Sequence, residues 1–454
     1  MTVAVPPEVA HRLRAVVMFF RRRPALSVFL LAVGLRVAFT LVFQTVASTA
    51  GLVAGTGGDG YDHLARSLLN GTGYRFRPQF AETISRLPGY PLVLVAMFTL
   101  FGDRVWPVQL LQGVLAGVSC ALIYRLGKTY FSERVGVVAG FLYAVYPGDF
   151  VASTRFVTEP LATFLLVCAV SVALWFMESP HITRALILGG VLGAASLVRD
   201  ANLLIVIALL IVLPLLPQAR AKRRTVFVHL VVSTLMVALL LTPWIIRGYR
   251  LSGTLILPTT AGGPNLGLAV CVSRHSDFVG DYRDLIVKAA REEAGIINGY
   301  GIYENGQGDL LKRDWWTFMR VDDEVAADRI LRKVSLEEIA ANPARFVRSG
   351  MLNLVGFWFR GPSRRSSVVS VAVHLPLLLL AMTGVVGALC AGHRAVWLLV
   401  LIIAYFNCTS VASAAFVRYS LPVMPLVVLL AASGIEVLRS WFLGQGSGSP
   451  HEYS

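Results

Sequence analysis

Ten stretches of this sequence stay apolar for about as long as a helix needs to cross a bilayer. A span takes roughly 20 such residues. Runs near that length lie at about 25–46, 106–126, 135–147, 157–177, 185–198, 202–217, 226–246, 368–391, 395–415 and 421–438. The third and fifth are short, but a short segment still crosses when it sits inside a bundle, or it ends in a re-entrant bend. Composition agrees: 56% of residues are hydrophobic and 15% charged, against about 25% charged in ordinary soluble domains. Charges this sparse cannot cover a water-soluble body, which excludes a soluble enzyme, a disordered chain and a secreted disulfide scaffold. The expected fold is an all-α polytopic membrane protein with about ten transmembrane helices and interfacial helices in its outer loops.

The formal net charge is +15. On a soluble domain that balance would point to nucleic acid, but no soluble basic domain exists here, so no nucleic-acid partner is expected. The positions of the basic residues instead orient the chain. Arg12, Arg14, Arg21, Arg22 and Arg23 precede the first run; Arg125, Lys128 and Arg134 separate the second and third; Arg220, Lys222, Arg223 and Arg224 separate the sixth and seventh. These loops share one side if the number of spans between them is even, as it is. Both termini are therefore expected in the cytoplasm of a multi-pass plasma (inner) membrane protein, and the first run is not read as a cleaved signal peptide. The expected organisation is a basic N-terminus (1–24), a membrane domain (25–440) with outer segments at 47–105 and 247–367, and a flexible cytoplasmic tail (441–454). The five cysteines show no disulfide or zinc spacing.

The first outer segment carries the densest signal. After Gly57-Gly58-Asp59-Gly60, the apolar positions Tyr61, Leu64, Ala65, Leu68 and Leu69 follow helical spacing. The other face holds Asp62, His63, Arg66 and Ser67, and Asn70-Gly71 supplies a stop. Asp59 reads in two ways. It is a good helix N-cap with Asp62 three residues on, or it is a general base at the membrane surface, with glycines that let a ligand approach. Both readings stay open. Asp59, Asp62 and His63 could also converge on a metal, although a solvated polar face explains them as well. Further on, Pro88 and Pro91 forbid a smooth helix and present Arg86 and Tyr90 on a rigid turn.

Several motifs recur in a fixed order: Gly58-Asp59-Gly60-Tyr61, Arg86-Leu87-Pro88-Gly89-Tyr90-Pro91, Val157-Thr158-Glu159-Pro160, Leu197-Val198-Arg199-Asp200, Pro243-Trp244-Ile245-Ile246-Arg247, Asn342-Pro343-Ala344-Arg345-Phe346 and Arg418-Tyr419-Ser420-Leu421-Pro422. In these motifs, from about 25 to 440, the chain resembles the GT-C glycosyltransferases. It is most similar to the bacterial branch of the dolichyl-phosphate-mannose protein mannosyltransferase family, which includes the aminoarabinose transferases.

The resemblance implies an inverting glycosyltransferase that moves a sugar from a polyprenyl-phosphate carrier to a cell-envelope acceptor (glycan, lipid or protein) on the outer side of the membrane. By resemblance Asp59 is the catalytic base. The chemistry is consistent: a carboxylate must take the acceptor hydroxyl proton, and a phosphate leaving group needs charge stabilisation. Arg86, Arg247 and Arg418 fall at outer boundaries where the carrier phosphate must lie, and a planar guanidinium suits phosphate oxygens. Tyr61, Asp62, His63, Tyr90, Glu159, Arg199 and Tyr419 are supporting candidates. No cofactor is required. A divalent metal would have to draw on Asp59, Asp62, His63, Glu159 and His275, from three loops, so no metal site is assigned.

The protein mannosyltransferases place a second acid directly after the first, where this chain has Gly60, so a protein acceptor is not implied. Acceptor recognition is expected from 247–367, with Tyr282, Tyr300, Tyr303, Trp315 and Trp316. The competing reading is a transporter or flippase of a lipid-linked sugar. It leans on Arg36, a charge inside the first run with no evident partner, and on Arg199–Asp200. A non-catalytic envelope scaffold gives no reason for an acid and arginines gathered at one membrane face.

Overall fold

The computed structural model describes residues 22–49, 59–271, 320–413 and 415–443. His275, the five aromatic residues of 282–316, most of both terminal segments and Gly57-Gly58 fall outside them. Among the described residues the chain forms helices and connecting turns, with no strand.

Sixteen α-helices are described. In chain order they are α1 (Pro24–Thr49), α2 (Tyr61–Leu69), α3 (Gly89–Phe101), α4 (Val105–Tyr130), α5 (Glu133–Ala144), α6 (Pro147–Ser153), α7 (Glu159–Glu178) and α8 (Ile182–Val198). There follow α9 (Ala201–Val212), α10 (Arg223–Ser252), α11 (Gly262–Cys271), α12 (Val321–Ala341), α13 (Pro343–Phe359), α14 (Arg364–Cys390), α15 (Ala395–Thr409) and α16 (Met424–Phe442).

All ten apolar runs are helical, but they are not equal. Seven helical stretches are long and apolar enough to cross a membrane, and α5 with α6, bent by 49°, makes an eighth. Helices α8 and α9 are shorter, at 17 and 12 residues. They meet at Arg199 and Asp200, at one of the two ends of the bundle, and are not counted among the spans. At one end Thr158, Arg199, Ala201, Thr409 and Arg418 line a common cavity. At the other, Tyr130 donates to Glu178 at 2.6 Å, Arg134 lies 3.6 Å from Glu436, and the Phe131 ring is 5.5 Å from that of His393.

Lipid tails are as apolar as leucine, so these helices associate through close packing more than through the hydrophobic effect. Helices α14 and α16 illustrate it. A Cβ at Gly384 would collide with the Leu430 carbonyl, and one at Gly434 with that of Leu380. Only glycine lets the two backbones approach this closely.

The break between α5 and α6 reveals the partner of Arg36. Its Nε and Nη2 donate to Asp149 Oδ2 at 2.9 and 2.5 Å, while Nη1 donates to the Ala32 and Ala144 carbonyls, both at 3.1 Å. The irregular stretch that follows is also paired. Gln109 donates to the Thr154 carbonyl, and Gln112 to those of Ser153 and Arg155. Irregular backbone inside a bundle survives only with such partners. The stretch ends at Thr158, from which α7 starts with Glu159.

Candidate active site

Asp59 immediately precedes α2, but it does not cap it. The N-cap is Gly60, with φ +73° and no side-chain cap bond. The expected capping box is absent as well: Asp62 is buried and accepts from Arg66 Nη1 at 2.5 Å. Gly60 also explains why a second acid does not follow the first. Its left-handed backbone disfavours any side chain, and a Cβ there would meet the Phe76 ring at 2.7 Å.

Freed from capping, the Asp59 carboxylate turns to Arg418, in the 3-10 turn that leads into α16. Arg418 Nη2 donates to Asp59 Oδ2 at 2.5 Å and Nη1 to Oδ1 at 3.4 Å. The same guanidinium donates from Nε to Glu159 Oε1 at 2.9 Å. Arg199, between α8 and α9, reaches that oxygen at 3.0 Å and Thr158 Oγ1 at 3.4 Å. Tyr419 lies between the two cations, its ring centre 5.5 Å from the Arg199 guanidinium and 5.8 Å from that of Arg418. Glu159 is 1% exposed, and its Oε2 has no hydrogen-bond partner among the described residues.

This cluster forms part of the wall of a cavity of about 640 Å³, lined by Asp59, Tyr61, Arg86, Arg199, Arg418 and Tyr419 among others. Leu203, Leu204, Leu257, Leu266 and Phe406 give the cavity an apolar side. Arg86 stands 5.9 Å from the Tyr61 ring centre. Tyr61 in turn packs edge-on against buried Tyr90, whose hydroxyl donates to Gln112. Gly89 makes the turn after Arg86 fit, because a Cβ there would lie 2.7 Å from the Leu197 carbonyl oxygen. Burial alone would raise the Asp59 carboxyl, but Arg418, with Arg86 and Arg199, more than offsets it and holds the group below its ordinary value.

Not every candidate residue reaches this wall. Tyr90 supports Tyr61 from behind, Glu159 lies beneath Arg418, and His63 is exposed on the outer face of α2. Arg247 departs most from expectation. It sits in the last turns of α10, facing the first loop. Its Nη2 donates to Glu82 at 2.7 Å and Nη1 to the Thr83 carbonyl at 3.0 Å, and its guanidinium lies over Tyr74 and Trp244. It braces the loop that carries Arg86 and does not line the cavity.

Among the described residues no three His, Cys, Asp or Glu side chains gather as ligands. Asp59 on the cavity wall and Glu159 beneath it share Arg418 between them, and Asp200, also on the wall, accepts from the Ala201 amide.

Residues that sequence reasoning missed come mainly from α11 and α12. Arg332 lines the cavity and donates to Asp328 at 2.8 Å, and Asp328 also accepts from the Gly263 amide. Their i, i+4 spacing was visible in the sequence. Glu324 is buried and accepts from the Ile84 amide at 3.0 Å and from Thr260 at 2.5 Å, joining α12 to the first loop just before Arg86.

Comparison with known proteins decides the architecture. The oligosaccharyltransferase AglB from Archaeoglobus fulgidus, in complex with an inhibitory peptide and a dolichol-phosphate, superposes with a TM-score of 0.57 at 15% identity, over 95% of this chain and 53% of its own. The apo form of the Archaeoglobus fulgidus oligosaccharyltransferase gives 0.55, again at 15% identity, over 94% and 52%. This chain has the GT-C fold. Within it, residues 85–246 match the family model of dolichyl-phosphate-mannose-protein mannosyltransferases. ArnT from Cupriavidus metallidurans, bound to undecaprenyl phosphate, superposes only at 0.38, with 13% identity over 90% of this chain and 78% of its own. No curated protein matches. The chain spans about half the length of the oligosaccharyltransferase chains it matches.

Proposed function

We propose that this protein is an inverting glycosyltransferase that takes a sugar from a polyprenyl-phosphate carrier and passes it to a cell-envelope acceptor. The observation that carries the reading is a carboxylate, Asp59, set among arginines on the wall of a cavity with one apolar side. In the proposed reaction the acceptor hydroxyl oxygen attacks the anomeric carbon. Asp59 takes the hydroxyl proton, and the bond from that carbon to the carrier phosphate breaks, its electron pair leaving with the phosphate. Arg86, Arg418 and Arg199 meet the charge on the phosphate. The apolar side, at Leu203, Leu204 and Phe406, accommodates the first prenyl units. The dolichol-phosphate in the AglB complex supports a lipid-linked phosphate as ligand of this fold.

The site is proposed to face outward in the plasma membrane, with both termini cytoplasmic, as the basic loops imply. The charges that favoured a transporter have other roles: Arg36 is locked onto Asp149, and Arg199 onto Glu159. The test is transfer from a polyprenyl-phosphate sugar in reconstituted vesicles. Asp59→Asn should lower turnover by about 100-fold or more, the usual contribution of a general base. Unchanged turnover would remove Asp59 from the chemistry.

A further inference from the structure

In this structure Asp59 is engaged in a way that conflicts with the work of a base. Both of its oxygens rest on the Nη1–Nη2 edge of Arg418. That two-pronged edge is the one a guanidinium offers to a phosphate. The carboxylate and an incoming phosphate would therefore compete for the same donors.

We infer that the Asp59–Arg418 pair is a mask: the phosphate of the lipid-linked donor displaces Asp59 from Arg418, and that exchange releases the carboxylate to receive the acceptor proton. The inference rests on the reading above that Asp59 is the base and Arg418 a phosphate ligand.

Three features fit an exchange. Arg418 has a second anchor, because its Nε is held by Glu159 from beneath, and Glu159 is 1% exposed. The guanidinium can thus change partners on one edge without leaving its place. The cluster's own charges offset one another: Asp59 and Glu159 face Arg418 and Arg199, and the wall beside them carries Arg86 and Arg332 with Asp200. Finally, the pair is open to the cavity, with the Arg418 side chain 42% exposed and that of Asp59 23%. Separately, a carboxyl held below its ordinary value by Arg418 is a weak proton acceptor. Removing it from the guanidinium makes it a stronger one. The chemical consequence is order: the donor binds first, and the base exists only once the donor is in place.

The experiment measures the affinity of undecaprenyl phosphate for the full-length protein in nanodiscs, for wild type, Asp59→Asn, Arg418→Gln and the double variant. If the mask exists, Asp59→Asn binds the lipid more tightly, by about tenfold, because a charge-assisted pair no longer has to be broken. Arg418→Gln binds at least about tenfold more weakly, and in that background Asp59→Asn changes nothing. Equal or weaker binding by Asp59→Asn overturns the mask. So does a tightening that persists in the Arg418→Gln background, since Asp59 would then merely repel phosphate through space. Where Arg418→Gln does not fold, Arg418→Met keeps the unbranched apolar stem without any donor, and the same pattern is required of it. The two proposals fail separately. An Asp59→Asn variant that still transfers sugar refutes the base. One that is inactive yet binds undecaprenyl phosphate as wild type does refutes only the mask.

Discussion

Arg36 and Arg418 each meet an aspartate far away in sequence, 113 residues in one case and 359 in the other. The two assemblies use the same groups for opposite ends. Around Arg36 everything is closed. The guanidinium is 1% exposed, and it spends its donors on Asp149 and on the carbonyls of Ala32 and Ala144. Around Arg418 the assembly is open. One face is on the cavity, and Glu159 beneath it keeps an oxygen with no partner among the described residues. A closed pair holds a bend together, whereas an open one can trade partners. Exposure separates them, 1% for the Arg36 side chain against 42% for that of Arg418, because a cavity reaches only the second guanidinium.

That contrast predicts a division between stability and activity. Arg36→Ala strands Asp149 inside the bundle and should cost about 3–5 kcal/mol of stability, the penalty for an uncompensated buried charge. Thermal or denaturant unfolding in detergent would measure it, and a loss near zero would break the comparison. Arg418→Ala should move unfolding far less, because water in the cavity can solvate Asp59. It should still lower sugar transfer by about 100-fold, as removal of one charge-stabilising donor does elsewhere. If Arg418→Ala instead unfolds the protein, the open assembly is structural too.

Two smaller effects sharpen the boundary of the site. Glu324 is buried between α12 and the first loop, and burial, only partly offset by the Thr260, Thr83 and Ile84 hydrogen bonds, raises its carboxyl above the ordinary value. A carboxyl raised in the folded state adds stability at acid pH that is lost as pH climbs from the ordinary carboxylate range through the raised value. Glu324→Gln should flatten that decline in an unfolding-versus-pH series. The smallest effect belongs to Arg247. Removing its partly exposed pair with Glu82 should cost about 1 kcal/mol or less and leave the KM for the donor unchanged. A large rise in that KM would return Arg247 to the phosphate site.

How far the sequence discloses this molecule follows from what each feature depends on. Apolar runs become helices wherever they occur, because a bilayer leaves the backbone no other partner. Lengths were less secure. Pro147 begins a new helix, so the run at 135–147 ends early and continues at an angle. Within the site, the turn Arg86–Pro91 is local and was legible. The partners of Arg36 and Asp59 were not, since nothing in a sequence gives the neighbour of a charge more than 100 residues away. Arg247 shows the same limit on one helix. Its position in sequence places it at the membrane boundary, but each residue turns the helix by about 100°, and the packing decides which way it faces. The start of α12 is local in the same sense, since Asp322, Asp323 and Glu324 mark its first turn.

The shortness of α9 has a consequence for the surrounding bilayer. Twelve residues of helix rise about 18 Å, well short of a hydrocarbon core of about 30 Å. Leu204, Ile207 and Ile211 are exposed along this helix, so lipid must meet it directly. Lipid beside a short span thins to match it. Under the proposed function, a headgroup plane that dips where α9 walls the cavity would let a lipid-borne phosphate reach Arg199 and Arg418 with less of its tail lifted out of the hydrocarbon.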